Sequence, residues 1–538
     1  MTTRTHFTTW RLPLRRWQRE AFDAWCAERS RDALIVATPG AGKTRFATRL
    51  AHALLSSGDV RRVIAVVPRE HLKAQLSSAM AQAGIALDHR FENAAGALAP
   101  DMHGAVITYQ QLAFAPQTYR SLARVPTLVL LDEIHHAADQ ATWGSALREA
   151  FEHVAYRVGM SGTPFRSDGT AIPFVRYYRG ESQAAYAYDY TQALRDGVCR
   201  PLVFPLQGGY AQWISADGEI RTASFDDALR SRVLQSERLR TVLTQERWLG
   251  DVIAKAHGKL LDLRHTHPEA GGLAIAMNQQ HARFIAGLMR DRIGVDPAIV
   301  VSDEDGASRR IGAFARSKEP WIVAVHMVSE GVDIPRLRVG IFASNVNTEM
   351  YFRQFCGRFV RTQRVGGKQH AFVYLPDDPR LRELASRVTQ DVRSYLKAVG
   401  EFDELAAAMR RATERGEVES LFAGIDAHVE NERVLDYGPL FNPLAYYVEE
   451  QTPYEPEPQP EPVPVAATKA EEKVTLRRSL QTLVSQASLR FGIEHRKIHA
   501  TLNQRFGGPI ASASAESITQ RRQAVLRWLE RDRYDGLR

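Results

Sequence analysis

The chain has few cysteines and no long apolar run. Cys26, Cys199 and Cys356 are the only three cysteines in 538 residues, and their wide spacing argues against a disulfide framework or a zinc site. No window approaches the roughly 18 uncharged apolar residues of a membrane helix. Met1 to Arg16 is polar and basic and lacks the apolar segment of a signal peptide. We therefore expect a cytoplasmic protein with no membrane partner.

The composition is that of a folded protein with several domains. Hydrophobic residues make up 44% of the chain and charged residues 25%, which is typical of soluble globular proteins. The length exceeds what one hydrophobic core supports and predicts about three or four domains. The formal net charge of +8 favours a polyanionic partner, although charge alone does not distinguish nucleic acid from a membrane surface.

One stretch has the pattern of a phosphate-binding P-loop. The apolar run Ala33 to Ala37 predicts a buried strand, and a helical pattern follows from Arg45 to Leu55. Backbone N–H groups of Gly40 to Thr44 can surround phosphate oxygens where no side chain blocks the approach. Lys43 adds a charge for the β- and γ-phosphates, and the Thr44 hydroxyl can hold Mg²⁺. A glycine-rich turn without a ligand is the simpler alternative, but the Gly-Lys-Thr ending disfavours it.

Two other stretches suit the same site. Gln18 lies on a predicted amphipathic helix, and its amide can both donate to and accept from an adenine edge. Asp132 and Glu133 follow the apolar run Thr127 to Leu131. Asp132 can hold Mg²⁺, and Glu133 can orient and deprotonate an attacking water. In isolation, Gln18 would be interpreted as a surface glutamine and Asp132-Glu133 as a solvated strand end. The presence of the P-loop makes the functional interpretation stronger.

Strand and helix patterns alternate through most of the chain. This alternation predicts an α/β fold with doubly wound parallel sheets, in which ligands bind at the carboxyl ends of the strands. An Asp217-Gly218 turn predicts a hairpin within the second half. The other predicted strands are 63–67, 106–110, 156–160, 202–206, 272–277, 298–301, 321–325 and 340–343.

A further predicted helix carries two arginines. Gln354, Arg358 and Arg361 follow i, i+4, i+7 spacing, so they would share one face of this helix. A solvated basic face is the usual explanation of such a stripe. The sharper interpretation is that two guanidiniums reach the γ-phosphate and stabilise charge in the transition state.

The C-terminal part differs in composition. A Pro/Glu-rich run predicts an extended, mobile linker. Residues 471–538 hold 13 Lys or Arg against 7 Asp or Glu and predict two or three short helices, with a break at Gly507-Gly508-Pro509 and Trp528 as a core anchor. This module could bind nucleic acid or a protein partner, or be an inert appendage. The predicted domains are 1–195, 196–385, a helical extension at 386–448, the linker at 449–470 and the module at 471–538.

Taken together and in order, the motifs resemble those of superfamily 2 helicases and translocases of the DExH type. The resemblance covers about residues 10 to 365. Its motifs, in chain order, are Gln18, Thr38–Thr44 (motif I), Pro68-Arg69 (Ia), Thr108-Tyr109 (Ib), Asp132–His135 (II), Ser161–Pro164 (III), Asn278 (IV), Glu330–Asp333 (V) and Gln354–Arg361 (VI).

The resemblance implies two RecA-like lobes with ATP and Mg²⁺ in the cleft. It implies that Arg358 and Arg361 are arginine fingers, and the wording of motif VI leaves open which of them acts. The implied ATP-binding residues are Gln18, Thr38, Gly40, Ala41, Gly42, Lys43, Thr44, Gly331 and Asp333, with Thr44 and Asp132 at the metal. The implied catalytic residues are Lys43, Glu133, Gln354, Arg358 and Arg361. The implied nucleic-acid contacts are Pro68, Arg69, Thr108 and Asn278, and Ser161 and Thr163 would couple the lobes.

Three functions remain open at this point. The first is an ATP-dependent nucleic-acid helicase or translocase, with DNA favoured over RNA by resemblance. The second is the translocating subunit of a restriction or phage-defence complex that works with a partner nuclease, since the wording of motifs II and III resembles such subunits. The third is an ATP-gated clamp, and Glu133 argues against it because a clamp does not need to activate water.

Overall fold

The computed structural model describes most of the two predicted lobes and the C-terminal module. None of the helices in the described ranges is both long and apolar enough to cross a membrane. The predictions for Thr163, Gly331, Asp333, the Asp217-Gly218 turn and the Pro/Glu-rich run lie outside the described residues. The described residues are 9–138, 141–162, 171–179, 181–215, 219–229, 231–301, 307–325, 334–363, 369–398, 432–434 and 468–535.

The chain divides into two compact units. The first comprises Met1–Ala37, Gly42–Ala187 and Pro460–Arg538, and the second comprises Thr38–Ala41 and Tyr188–Gln459. The division therefore passes through the predicted P-loop and lies shortly before the predicted boundary at residue 195. The C-terminal module groups with the first unit.

A parallel sheet forms the centre of the first unit. Among the described residues, seven strands lie in the order β3-β4-β2-β5-β6-β1-β9. The five ladders from β3 to β1 are all parallel. The strands are β1 (Asp32–Ala37), β2 (Arg62–Val67), β3 (Leu87–Asp88), β4 (Gly104–Thr108), β5 (Thr127–Asp132), β6 (Tyr156–Ser161) and β9 (Tyr186–Tyr188), with β7 (Tyr177–Tyr178) and β8 (Glu181–Ser182) as a separate pair. The helices are α1 (Arg16–Glu28), α2 (Lys43–Ser57), α3 (Glu70–Ala81), α4 (Tyr109–Phe114), α5 (Pro116–Leu122) and α6 (Ala141–Phe151).

The order of these strands confirms the doubly wound topology. The chain crosses the sheet in one direction from β1 to β3 and in the other from β4 to β6. Because parallel crossovers are right-handed, α2 and α3 cover one face and α4 to α6 cover the other. The carboxyl ends of β1, β2, β4, β5 and β6 meet at one edge, where a ligand site is expected.

The second unit has the same architecture and confirms a second RecA-like lobe. Its described strands lie in the order β15-β16-β14-β17-β18-β11-β19, with β10 beside β18. The strands are β10 (Leu202–Val203), β11 (Pro205–Gln207), β12 (Tyr210–Ile214), β13 (Ile220–Ser224), β14 (Gly271–Ala276), β15 (Ala298–Val301), β16 (Trp321–Val325), β17 (Leu337–Ala343), β18 (Ala371–Pro376) and β19 (Glu432–Val434). The helices are α7 (Tyr190–Arg195), α8 (Arg232–Leu243), α9 (Glu246–Thr266), α10 (Gln279–Ile293), α11 (Ala307–Arg316), α12 (Glu349–Cys356) and α13 (Pro379–Ala398).

Two details of this unit bear on the predictions. Strands β12 and β13 pair antiparallel, as the predicted hairpin requires. Strand β19 lies in the stretch predicted to be helical and pairs antiparallel with β11. Residues 432–434 therefore form an edge strand, and the prediction of a helix is wrong there.

The helix predicted to carry the two arginines ends before them. Helix α12 stops at Cys356, and Arg358 lies in the turn that follows. Arg361 is extended and forms an antiparallel bridge with Cys199. The prediction that Gln354, Arg358 and Arg361 share one helical face is therefore wrong.

Aromatic packing explains why the helix stops. Phe359 is fully buried and packs against Phe355 with ring centroids 5.0 Å apart. Its ring also lies over Gly340 in β17, where a Cβ atom would come within 2.6 Å of it. The chain then continues extended, and Val360 O accepts a hydrogen bond of 2.6 Å from Arg200 N. Burial of Phe359 outweighs the helical spacing of the polar residues.

The C-terminal module is a bundle of three helices. They are α14 (Lys469–Phe491), α15 (His495–Arg505) and α16 (Ala515–Glu530), and α15 ends just before the predicted Gly-Gly-Pro break. At 23 residues α14 is longer than the short helix predicted. Trp528 is 1% exposed and packs with Leu480, Val484 and Ile498, which confirms it as a core anchor.

A buried ion pair attaches this bundle to the rest of the first unit. Lys473 Nζ lies 3.4 Å from Asp101 Oδ1, and Ala515 N donates to Asp101 Oδ2 at 3.2 Å. Ala470 packs against Met102, and α14 contacts the edge strand β3. Burial lowers the pKa of Lys473, and the Asp101 charge opposes that shift. Asp101 therefore holds two of the three helices.

Replacing Gly340 by alanine should destabilise the second unit. The added methyl meets the Phe359 ring, and overpacking of this kind costs about 1–3 kcal/mol. Gly287→Ala in α10 is the matched control, because a Cβ there meets no atom within 4 Å and alanine favours a helix. We expect thermal unfolding to show a lower Tm for Gly340→Ala only. Equal Tm values for the two variants would contradict this packing.

Candidate nucleotide site

The predicted P-loop lies at the carboxyl end of β1. Gly40 and Gly42 have φ angles of 82° and 92°, a region that favours glycine. Helix α2 begins at Lys43, directly after the loop. The loop therefore places backbone N–H groups and the positive end of a helix dipole where phosphate oxygens could bind.

Lys43 and Glu133 form the central ion pair of this edge. Lys43 Nζ lies 2.8 Å from Glu133 Oε1 and also donates to Ala37 O at 3.4 Å. Burial by itself would raise the pKa of Glu133, but the charge and hydrogen bond of Lys43 together with the charges of His135 and His136 outweigh burial and hold that pKa below its usual range. Glu133 also has a φ of 46°, which is uncommon for a residue with a side chain. Such strain is often found at functional sites.

The second carboxylate oxygen of Glu133 faces β6. Gly162 N donates to Glu133 Oε2 at 3.3 Å, and His135 Nδ1 lies 3.6 Å from the same oxygen. His135 is fully buried, and its Nδ1 lies 2.9 Å from Ser161 Oγ. Glu133 and His135 of motif II are thus joined to Ser161 and Gly162 of motif III by contacts inside the first unit.

Asp132 and Thr44 supply oxygen atoms of the kind that Mg²⁺ prefers. Burial and the neighbouring Glu133 charge raise the pKa of Asp132. Asp132 O is held in place by the Tyr109 hydroxyl, which donates to it at 2.9 Å. A hydroxyl, a carboxylate and a phosphate-binding loop at one sheet edge fit Mg²⁺ with a nucleoside triphosphate.

Gln18 contacts the loop directly. It is 2% exposed, its Nε2 donates to Gly42 O at 2.9 Å, and its Oε1 accepts from Arg15 N at 2.9 Å. These bonds use one N–H and one lone pair of an amide that has two of each. Gln18 therefore positions the P-loop, and recognition of adenine stays a prediction.

Comparison with known proteins gives the family. Residues 11–166 match the family model described as Type III restriction enzyme, res subunit. The chain is 38% identical over 570 residues to Uncharacterized protein MT2985 of Mycobacterium tuberculosis (strain CDC 1551 / Oshkosh), covering 98% of this chain and 94% of that protein. It is also 38% identical over 563 residues to Uncharacterized protein ML1624 of Mycobacterium leprae (strain TN), covering 95% and 93%. The chain belongs to the family of these mycobacterial proteins.

The predicted resemblance to superfamily 2 helicases and restriction subunits is confirmed. Similar solved structures include a fragment of an HsdR subunit of a type I restriction enzyme from Vibrio vulnificus YJ016, with a TM-score of 0.49 and 18% identity. The alignment covers 70% of this chain and 66% of that one, so this chain spans just under two thirds of the fragment. Dbp5 of S. cerevisiae, bound to RNA and ADP BeF3, aligns with a TM-score of 0.47 and 14% identity over 70% of this chain and 87% of that one.

The four predicted nucleic-acid contacts also lie at strand ends. Val67 of β2 pairs with Thr108 of β4, so Pro68 and Thr108 are neighbours at one edge of the first sheet. Thr108 is a helix cap, and its Oγ1 accepts from Gln111 N at 3.0 Å. Arg69 is exposed at the start of α3. Asn278 follows β14 of the second unit and caps α10. Their roles in binding nucleic acid stay predictions.

Arg361 lies against a loop residue in the second unit. A Cβ atom built on Gly40 would be 3.0 Å from Arg361 Cγ and 3.6 Å from its Nε, and both residues belong to this unit. Arg358 is 9% exposed, and Gln354 lies in the last turn of α12. Which of Arg358 and Arg361 is the arginine finger stays a prediction.

Two supporting contacts escaped the sequence analysis. Arg157 pairs with Asp32 through two hydrogen bonds of 2.5 and 2.9 Å, which join the first residue of β1 to the second residue of β6. Opposite charges at the starts of two predicted strands were the available signal. The bond from Tyr109 to Asp132 had no such signal, because it depends on how β4 and β5 are placed in the sheet.

Replacing Arg361 by alanine should slow ATP hydrolysis. Loss of an arginine finger costs about 10³–10⁵ in kcat in other NTPases, so we expect a fall of at least about 10³. The control is Arg353→Ala, since Arg353 on α12 is occupied by Glu349 at 3.0 Å. Steady-state kinetics should show the loss in kcat for Arg361→Ala alone. Wild-type kcat in that variant would rule out the assignment.

Proposed function

We propose that this protein is a nucleic-acid-dependent ATPase that moves along DNA as a helicase or translocase. The observation that carries the proposal is the pairing of Lys43 with Glu133 at 2.8 Å beside a P-loop. Hydrolysis needs a cation that binds phosphate and a carboxylate that activates water, and the two groups must lie at one place. DNA is favoured over RNA through the similarity of residues 11–166 to a restriction subunit.

The same pair supports a route for activation. When ATP binds, its phosphates compete with Glu133 for the ammonium group of Lys43. Burial then acts on Glu133 with less compensation, and its pKa rises toward that of an effective general base. Mg²⁺ held by Thr44 and Asp132 would neutralise charge on the phosphate oxygens. Glu133 takes the proton of the attacking water, and Arg361 stabilises the charge that develops.

Glu133→Gln should separate nucleotide binding from hydrolysis. The amide keeps the size of the side chain but accepts no proton, so we expect ATP binding to persist while kcat falls by about 10²–10⁴. Lys43→Ala, in contrast, should weaken ATP binding in addition to hydrolysis. ATP binding and hydrolysis are measured for both variants and the wild type, with and without single- and double-stranded DNA and RNA. Failure of every nucleic acid to stimulate the wild type would defeat the proposal.

Directional unwinding is the finer part of the proposal. Strand displacement on DNA–DNA, RNA–DNA and RNA–RNA duplexes with 3′ or 5′ tails measures it. We expect activity on at least one DNA duplex that depends on ATP and is absent in Glu133→Gln. Hydrolysis at background level in a single turnover would instead favour an ATP-gated clamp.

A second candidate function is the translocating subunit of a restriction or phage-defence complex. The match of residues 11–166 to the res subunit of type III restriction enzymes favours it. In this case the protein would move DNA while a partner cuts it. Co-purification of a nuclease or methylase from the native source would support this function, and a protein that is fully active alone would argue against it.

A further inference from the structure

The C-terminal bundle contains a helix–turn–helix. Helix α14 ends at Phe491, Gly492 adopts a left-handed conformation with φ 64°, and α15 begins at His495. The turn therefore has three residues and contains a glycine, as in helix–turn–helix motifs. In such motifs the second helix lies in the major groove of DNA, and its N-terminal residues face the bases.

The side of α15 that faces away from the core carries Arg496 and Lys497, and Arg505 lies at the C-terminal end of the helix. The helix HRKIHATLNQR contains no acidic residue, and Arg496, Lys497 and Arg505 are all exposed. Within the described part of the chain these three side chains form no salt bridge, and Arg505 lies only over the Phe506 ring at 5.8 Å. Some exposed arginines elsewhere are paired, for example Arg490 with Asp532 at 2.7 Å.

The opposite side of α15 is held firmly in the bundle. Ile498 and Leu502 are fully buried in its core. Arg521 of α16 donates to Asn503 Oδ1 at 2.9 Å and to Gly508 O at 2.8 Å, which holds the C-terminal end of α15 in place. The orientation of the cationic face is therefore set by packing.

The dimensions of the helix suit a nucleic-acid duplex. Eleven residues form a helix about 16 Å long and about 10–12 Å in diameter. The major groove of B-DNA is about 12 Å wide. Arg496 and Lys497 lie in the first turn of α15, the end of the second helix that faces the bases in helix–turn–helix motifs.

We propose that α15 is a second DNA-binding element, which docks in the major groove of duplex DNA. The bundle is fixed to the first unit through Asp101 and Lys473. A duplex held by α15 is thereby linked to the unit that carries Lys43 and Glu133. The choice of DNA rests on the proposed function, but this binding requires neither ATP nor the P-loop.

The test is equilibrium binding of labelled duplex DNA to the full chain without nucleotide, at about 50–200 mM salt. The variant is Arg496→Ala/Lys497→Ala/Arg505→Ala. The control is Arg290→Ala/Arg380→Ala/Arg490→Ala, which removes three exposed arginines that are paired with Asp296, Glu383 and Asp532. Both variants lose the same net charge, so long-range electrostatics changes equally in the two.

We expect the α15 variant to bind at least about tenfold more weakly than the control at low salt. The slope of log K against log salt should fall by about 0.9 for each phosphate that the variant no longer neutralises. ATP hydrolysis at saturating DNA should keep its kcat in both variants, so failure of the motor proposal would be seen separately. Equal affinity and slope in the two variants would overturn the proposal. If an acidic protein used as competitor causes an equal loss of DNA binding, this face would be assigned to a protein partner.

Discussion

The contact between Lys43 and Glu133 is the interaction on which the site depends. It joins Lys43 of the P-loop, which follows β1, to Glu133, which follows β5, although β6 lies between β1 and β5 in the sheet. Glu133 would be costly to bury as an unpaired charge. Lys43 compensates for that cost, and the side chain can stay ionised in a position where it could act on water.

The neighbouring contacts hold this pair in one geometry. Gly162 and His135 contact the other oxygen of Glu133, and Ser161 contacts His135. Gln18 ties helix α1 to the loop through Gly42. Glu133 has a positive φ, and such a backbone conformation persists only where the surrounding contacts over-determine it. These contacts hold the side chains of the first unit in one arrangement, as preorganised charge stabilisation requires.

The C-terminal module was predicted to be a tethered domain with no assigned ligand. Its contacts with the first unit change this interpretation. Lys473 is 2% exposed and pairs with Asp101, a residue 372 positions earlier in the chain. Breaking such a pair leaves a buried charge, which is strongly destabilising. The bundle is consequently part of the first unit, and its cationic helix α15 has a fixed position on that unit.

The sequence by itself determined the class of fold and the local motifs of the candidate nucleotide site. Strands such as 298–301 and 321–325 occur at their predicted bounds, because buried parallel strands are short apolar runs with clear ends. Gly40, Lys43 and Asp132 were recognisable from local order alone. Only the tertiary structure decided where α12 ends, that Arg361 lies against Gly40, and that Asp101 holds Lys473. These depend on packing between residues far apart in the chain, such as Phe359 over Gly340, which no local pattern records.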